Sequence, residues 1–249
     1  MIWTAASGDG DDVVVLIHGS MDRSAGLLKL SRRLDRRHRV VRYDRRGYGR
    51  SAPHDGPFTM PSQVDDLATV VASTRPRGRC VVVGHSYGGN VALAFAERCP
   101  DLVDGVVTYE SPLSWLPWWG GSAGASAMAV RDDPAEAAER FMRSLIGDDR
   151  WERLPPGTRA ARRAEGPPMI GELADLRERP PWQAERITVP VLVMYGEQGR
   201  AHHRRGAEEL ARVLPDAQLQ MVPHARHFGP NTHPDDVAAR IVGFIDRLR

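Results

Sequence analysis

The sequence predicts a doubly wound α/β domain, a mostly parallel sheet with an inserted helical cap, from two observations. Short β-branched runs alternate with helix-like stretches, and that alternation breaks once, in the middle of the chain. The runs are Val13–Ile17, Arg39–Tyr43, Cys80–Gly84, Gly105–Tyr109, Val189–Tyr195 and Gln218–Val222. All but the last are nearly continuous in apolar character, as strands buried on both faces must be. The stretches Ala25–Arg37, Ser62–Thr74, Tyr87–Arg98, Arg204–Val213 and Asp235–Leu248 place apolar residues three to four apart, so each offers one stripe to the sheet.

Between Pro112 and Glu185 tryptophan, proline, glycine and dense charge replace the strand signal. The core is therefore assigned to residues 1–111 and 186–249, and the cap to residues 112–185. Within the cap, Pro134–Leu145 and Ile170–Arg179 read as helices. No internal repeat or low-complexity stretch is evident.

A chain of 249 residues, 41% of them hydrophobic, can bury a full core. Its 34 basic and 32 acidic residues nearly cancel, which argues against nucleic acid or an anionic membrane surface as a partner. Cys80 and Cys99 sit in burial-prone settings and are expected to be reduced thiols. The first nine residues lack the basic start and apolar stretch of a secretory signal, and Val13–Ile17 is far too short to cross a bilayer. A cytoplasmic protein acting on a small molecule is the expectation; oligomeric state is not legible.

The chemistry centres on Cys80-Val-Val-Val-Gly84-His85-Ser86-Tyr87-Gly88-Gly89, where a strand passes into a helix. Ser86 falls at the join, in a Gly-x-Ser-x-Gly pattern. A serine there sits on a sharp turn with its hydroxyl projecting, and glycines two positions to either side let strand and helix approach closely. The helix N-terminus behind it aims N–H groups at charge developing on a substrate, with Tyr87 N–H the expected donor. The bland alternative is an ordinary glycine-rich turn.

Together with His18-Gly19-Ser20 after the first strand, Asp44-Arg45-Arg46-Gly47-Tyr48-Gly49-Arg50-Ser51 after the second, and Val222-Pro223-His224-Ala225-Arg226-His227-Phe228 near the end, this pattern resembles the α/β-hydrolase superfamily over nearly the whole chain outside the cap. The resemblance implies Ser86 as nucleophile and His227 as general base, with Ser20 N–H as the second oxyanion donor and Met21 N–H a weaker candidate. His224 and His233 are lesser candidates for the base. His18 is expected to pack rather than react. The Asp44–Ser51 loop is expected to be structural, pinned by an Asp–Arg pair. Relatives that open epoxides or displace halide carry aspartate in place of Ser86, so those activities are disfavoured.

One position departs from the pattern. Pro190-Val-Leu-Val-Met-Tyr-Gly196-Glu197-Gln198-Gly199 resembles a segment that ends on the family's aspartate, and glycine stands at that place. Three readings stay open. Glu110, at the end of the strand beside the vacant one, reaches across; Glu197, two residues earlier in the turn, bends inward; or no acid serves.

In the cap, Trp115, Trp118 and Trp119 follow closely on Glu110. They read equally as walls of an apolar pocket and as anchors of the cap. Trp151 and Trp182 are expected to pack within the cap. Gly120–Gly124 could act as a hinge, and the cap's arginines are expected to be solvated charge balanced by its acids. The expected activity is hydrolysis of an ester, thioester or lactone of a moderately apolar small molecule through an acyl-enzyme, calling for no metal and no organic cofactor. Carbon–carbon hydrolysis or perhydrolysis on the same residues, and a catalytically weak binding protein, are the alternatives.

Overall fold

The computed structural model describes residues 1–74, 76–120 and 122–248. Its strands are β1 (Thr4–Ser7), β2 (Val13–Ile17), β3 (Arg39–Tyr43), β4 (Cys80–His85), β5 (Gly105–Tyr109), β6 (Val191–Gly196) and β7 (Ala217–Val222). They form one sheet in the order β1-β3-β2-β4-β5-β6-β7, in which β1 runs antiparallel to β3 and every other pair is parallel. The core helices are α1 (Leu28–Leu34), α2 (Met60–Thr74) and α3 (Tyr87–Arg98). The insertion carries α4 (Ala123–Met128), α5 (Pro134–Ile146), α6 (Asp148–Glu152), α7 (Pro156–Arg163) and α8 (Gly166–Glu178). The chain closes with α9 (Ala201–Val213), α10 (Gly229–Thr232) and α11 (Pro234–Ile245).

The apolar runs make sense once both faces are covered. In β2, Val13, Val15 and Ile17 belong to the buried cluster that also holds residues of α2, α3 and α9, while Val14 and Leu16 belong to the one that holds residues of α1 and α11. All five are buried, so the period-two alternation that marks a half-exposed strand is absent. Edge strand β7 keeps a mostly exposed or half-exposed pattern. Cys80 and Cys99 are free thiols, and burial pushes that of Cys80 up to about 12. Among the described residues no helix is long and apolar enough to cross a membrane.

Several boundaries differ from the sequence reading. β1 was not anticipated: Thr4-Ala-Ala-Ser has no β-branched run, and its strand form comes from pairing with β3. Val189–Tyr195 becomes β6 from Val191, because Pro190 has no N–H to give an inner strand. The stretch Ala25–Arg37 is a 3₁₀ turn (Ser24–Leu27) followed by α1, with Ser24 N–H held 2.7 Å from Oδ1 of Asp44. α9 begins at Ala201 rather than Arg204, which puts His202 and His203 on its first turn.

Between β5 and β6 the described residues form five α-helices, a 3₁₀ turn and no strand. α4, α6 and α7 went unread because they are short, and α7 buries no residue and so shows no apolar stripe. At the end of the Gly120–Gly124 stretch, Ala123 and Gly124 open α4 behind a Ser122 cap on Ala125 N–H; Gly121 lies outside the described residues.

Candidate active site

Parallel β2, β4, β5, β6 and β7 all deliver their carboxyl ends to one edge of the sheet, and the sequence-predicted site residues follow those ends. Ser86, between β4 and α3, has φ 54° and ψ −124°, a conformation that costs a non-glycine residue roughly 1–3 kcal/mol. Its N–H donates to Tyr109 O at 2.8 Å. A Cβ on Gly84 would lie 2.2 Å from Gly88 O, and one on Gly88 would lie 2.4 Å from Ile17 O, so only glycine lets the turn close this tightly. Tyr87 opens α3, and its N–H is among those the helix cannot satisfy.

His227 lies on the loop after β7. That loop is tied down on both sides of the ring: His85 Nε2 donates to His227 O at 2.7 Å, Tyr109 Oη to Arg226 O at 2.8 Å, and Gln198 N–H to Ala225 O at 2.9 Å. The imidazole Nδ1 stands 2.7 Å from Glu110 Oε2. Burial lowers the pKa of His227, and His203 lowers it further, against the pull of Glu110. The ring is therefore neutral at pH 7.

Glu110 is 1% exposed and has φ 49°, an uncommon backbone state for glutamate. Its Oε1 accepts Gly196 N–H at 3.0 Å. Burial opposes its charge, but the adjoining imidazoles of His203 and His227 outweigh that effect and hold the carboxyl well below the usual range. A Cβ on Gly199 would sit 2.5 Å from Glu110 Oε1, so the side-chain space at 199 is already filled by this carboxylate. Glu197 turns the other way and accepts His224 N–H at 2.8 Å at an exposed corner. His233 is occupied with Thr232 Oγ1 at 2.9 Å.

Ser86 and His227 face two cavities of about 330 and 300 Å³, and Ser20, Phe141, Leu145 and Phe228 line both. Of the three cap tryptophans, only Trp119 joins a cavity wall. Trp115 packs edge-on against Trp182 with centroids 5.5 Å apart, and Trp118 lies 4.1 Å under the Arg205 guanidinium. The pocket expectation thus narrows to Trp119. Trp115 and Trp118 both pack, partly buried, against the core cluster. Trp182 gives its indole N–H to Asn90 Oδ1 at 3.0 Å, and Trp151 is buried among the cap helices.

The loop after β3 is structural, though not through the expected pair. Asp44 accepts the N–H groups of Ser24 and Arg50, and Arg46 pairs instead with Asp66 at 2.7 Å. His18 is fully buried; its Nε2 accepts Arg45 N–H at 2.9 Å, so Nδ1–H donates to Gly19 O at 2.8 Å.

Two features lay beyond the sequence reading. Arg45 and Glu172 form an ion pair with both side chains fully buried, joining the core to α8. Glu172 also accepts from Ser20 Oγ at 3.0 Å, Tyr48 Oη at 2.9 Å and Gln63 Nε2 at 3.1 Å, while Arg45 donates to Gly19 O at 3.1 Å. The Gly19–Ser20 loop is thereby clamped between core and insertion. The second feature is His203, whose ring stacks on His227 at 4.5 Å and 19° and whose Nδ1 lies 2.7 Å from Glu110 Oε2, off the axis a hydrogen bond needs. The adjacent histidines just ahead of the helix read from Arg204 were the only available signal. Glu110, His203 and His227 place ligand atoms within 4.8 Å of one another and could hold a divalent cation; doing so would draw His227 Nδ1 away from Glu110.

The sequence matches the Alpha/beta hydrolase family over residues 14–240. It is 25% identical to the 2-(acetamidomethylene)succinate hydrolase of Mesorhizobium japonicum, over 94% of this chain and 88% of that protein. It is 26% identical to the pimeloyl-[acyl-carrier protein] methyl ester esterase of Nitrosospira multiformis, over 98% of this chain and 97% of that one. The fold superimposes on that of a thermophilic esterase from Thermogutta terrifontis with a TM-score of 0.77 and 24% identity, covering 99% of this chain and 93% of that one. The chain belongs to the alpha/beta hydrolase family.

Proposed function

We propose that the protein is a serine hydrolase that cleaves a carboxylic ester, thioester or lactone through an acyl-enzyme. The observation that carries this reading is the 2.7 Å approach of Glu110 to Nδ1 of a neutral His227 that shares both cavities with a strained Ser86. A serine hydroxyl is a poor nucleophile at neutral pH unless a base takes its proton.

In this account His227 Nε2 removes the Ser86 proton as Oγ bonds to the substrate carbonyl carbon. Glu110 fixes the ring tautomer and stabilises the imidazolium. The N–H groups of Tyr87 and Ser20 hold the developing oxyanion. Collapse breaks the bond to the leaving oxygen or sulfur, which takes the proton from His227. Water, deprotonated by the same ring, then attacks the acyl carbon and returns Ser86. Two relatives named for ester cleavage and for hydrolysis of an acetamidomethylene succinate lend support to the hydrolytic class.

Labelling with a fluorophosphonate tests the assignment. Ser86 is expected to be modified, with no labelling in Ser86→Ala and labelling slowed by at least about a thousandfold in His227→Ala. Failure of the folded protein to label would overturn the proposal.

A further inference from the structure

The two cavities that meet at Ser86 differ in charge. The larger is lined by Arg177, Arg200 and Arg226 together with His202 and His203, and no carboxylate is in its lining. The smaller carries more aliphatic side chains, Met21, Leu27, Met142, Ile146 and Leu154 among them, beside polar Thr158, Asn231 and Thr232. Its one carboxylate is the half-buried Asp22, and of its two arginines Arg162 pairs with Glu165 at 3.0 Å while Arg150 is exposed.

Arg177, on α8, is half-buried and unpaired, whereas the other unpaired cap arginines among the described residues, Arg131, Arg150, Arg153 and Arg179, are exposed. Arg140, Arg143, Arg159 and Arg163 each pair with a glutamate of the cap, which fits the solvated, balanced charge expected there. Among the described residues Arg177 makes no ion pair; one N–H donates to Leu173 O at 2.7 Å, and its other donors are free to face the cavity. Burial alone lowers its pKa, with no neighbouring charge contributing. A partly desolvated guanidinium without a counter-charge is costly unless a ligand supplies one. A carboxylate does so with matched, two-point geometry. Arg200 bridges to Ser144 O at 3.2 Å near the opening, and neither it nor Arg226 is ion-paired among the described residues.

We propose that the substrate carries a carboxylate, which Arg177 binds in the larger cavity, while its apolar part lies in the smaller one and the scissile carbonyl sits between them at Ser86. The inference rests on the reading of Ser86 as nucleophile and names the substrate class of that site. Arg200 and Arg226 add attraction at the mouth of the same chamber.

The test compares esters that differ only in the anion. One pair is 4-nitrophenyl hydrogen glutarate against its methyl ester, with the charge on the acyl side. The other is the butyrate ester of 4-hydroxybenzoate against that of methyl 4-hydroxybenzoate, with the charge on the leaving group. For at least one pair, kcat/KM is expected to favour the acid by at least about tenfold; Arg177→Gln brings the ratio down by roughly 10- to 100-fold, mainly through KM, and Arg177→Lys keeps part of it. A melting curve checks that each variant folds. In the wild type, free glutarate is expected to inhibit turnover of the neutral ester competitively where glutaramide does not, a readout that needs no variant. Preference for the neutral ester in both pairs, a ratio untouched by Arg177→Gln, or equal inhibition by glutarate and glutaramide would overturn the proposal. Loss of fluorophosphonate labelling at Ser86 would instead overturn the serine mechanism, so the two failures are distinguishable.

Discussion

Glu110 occupies the space a side chain at Gly199 would need: a Cβ there would lie 2.5 Å from Glu110 Oε1. β5 and β6 are neighbours in the sheet, so a carboxylate leaving β5 on a longer arm reaches His227 from the adjoining strand. The vacancy at 199 and the acid at 110 are therefore two aspects of one arrangement.

Moving the acid back tests this directly. Glu110→Gly suits the positive φ and removes the carboxylate, and is expected to lower kcat by about 10³–10⁴. Adding Gly199→Asp is expected to recover at least about tenfold in ester turnover. Gly199→Asp alone is expected to impair the enzyme, because the new carboxylate collides with Glu110. A double variant no faster than Glu110→Gly would show that position 199 cannot supply the acid.

His203 lowers the pKa of His227 and stands 2.7 Å from the Glu110 oxygen that His227 also approaches. Removing it with His203→Asn leaves Glu110 to His227 alone, and both changes raise the pKa of His227. The acidic limb of the kcat/KM profile is expected to lie below about pH 6.5 in the wild type and to move upward in the variant. A limb that stays in place would separate His203 from the base.

Acid stability follows from buried neutral histidines. Burial takes His85 down to about 4, and His18 well below its usual value. The unfolded chain takes up protons near pH 6.5 while the folded chain does not, so this stability is complete above pH 6.5 and is lost as pH falls toward 4. For His85 the loss is about 3 kcal/mol. Urea unfolding at pH 7 and pH 4.5 is expected to show a smaller difference for His85→Gln than for the wild type.

The Arg45–Glu172 pair has no exposure to water. Glu172→Ala leaves a buried guanidinium unpaired and is expected to cost about 3–5 kcal/mol in urea unfolding. Arg45→Met with Glu172→Leu removes both charges and is expected to cost less than Glu172→Ala alone. Equal or greater loss in the double variant would argue that the neutral partners, Tyr48, Gln63 and Ser20, dominate the clamp.

The inner strands and the Ser86 elbow were legible because their cause is local: β-branched runs for a sheet covered on both faces, and glycines two positions from the serine. His227 followed from its place after the last strand. Glu110 was legible as the leading candidate only through strand adjacency, since nothing in Thr108-Tyr109-Glu110-Ser111 marks the glutamate as more than a loop acid. Arg45, Glu172 and His203 could not be read. Their partners lie 127 and 93 residues away in sequence, and long-range charge pairing leaves no periodic trace. β1 and the short cap helices were missed because tertiary pairing, not intrinsic propensity, holds them in place.

Ser86 is proposed to carry the acyl group. Quenching the enzyme in acid within milliseconds of mixing with an excess of an aryl ester, and measuring its intact mass, tests this most directly. A single added acyl mass is expected, placed on Ser86 by peptide mapping, built up in a burst and absent in Ser86→Ala. Turnover that proceeds with no acyl adduct, or an adduct on another residue, would contradict it.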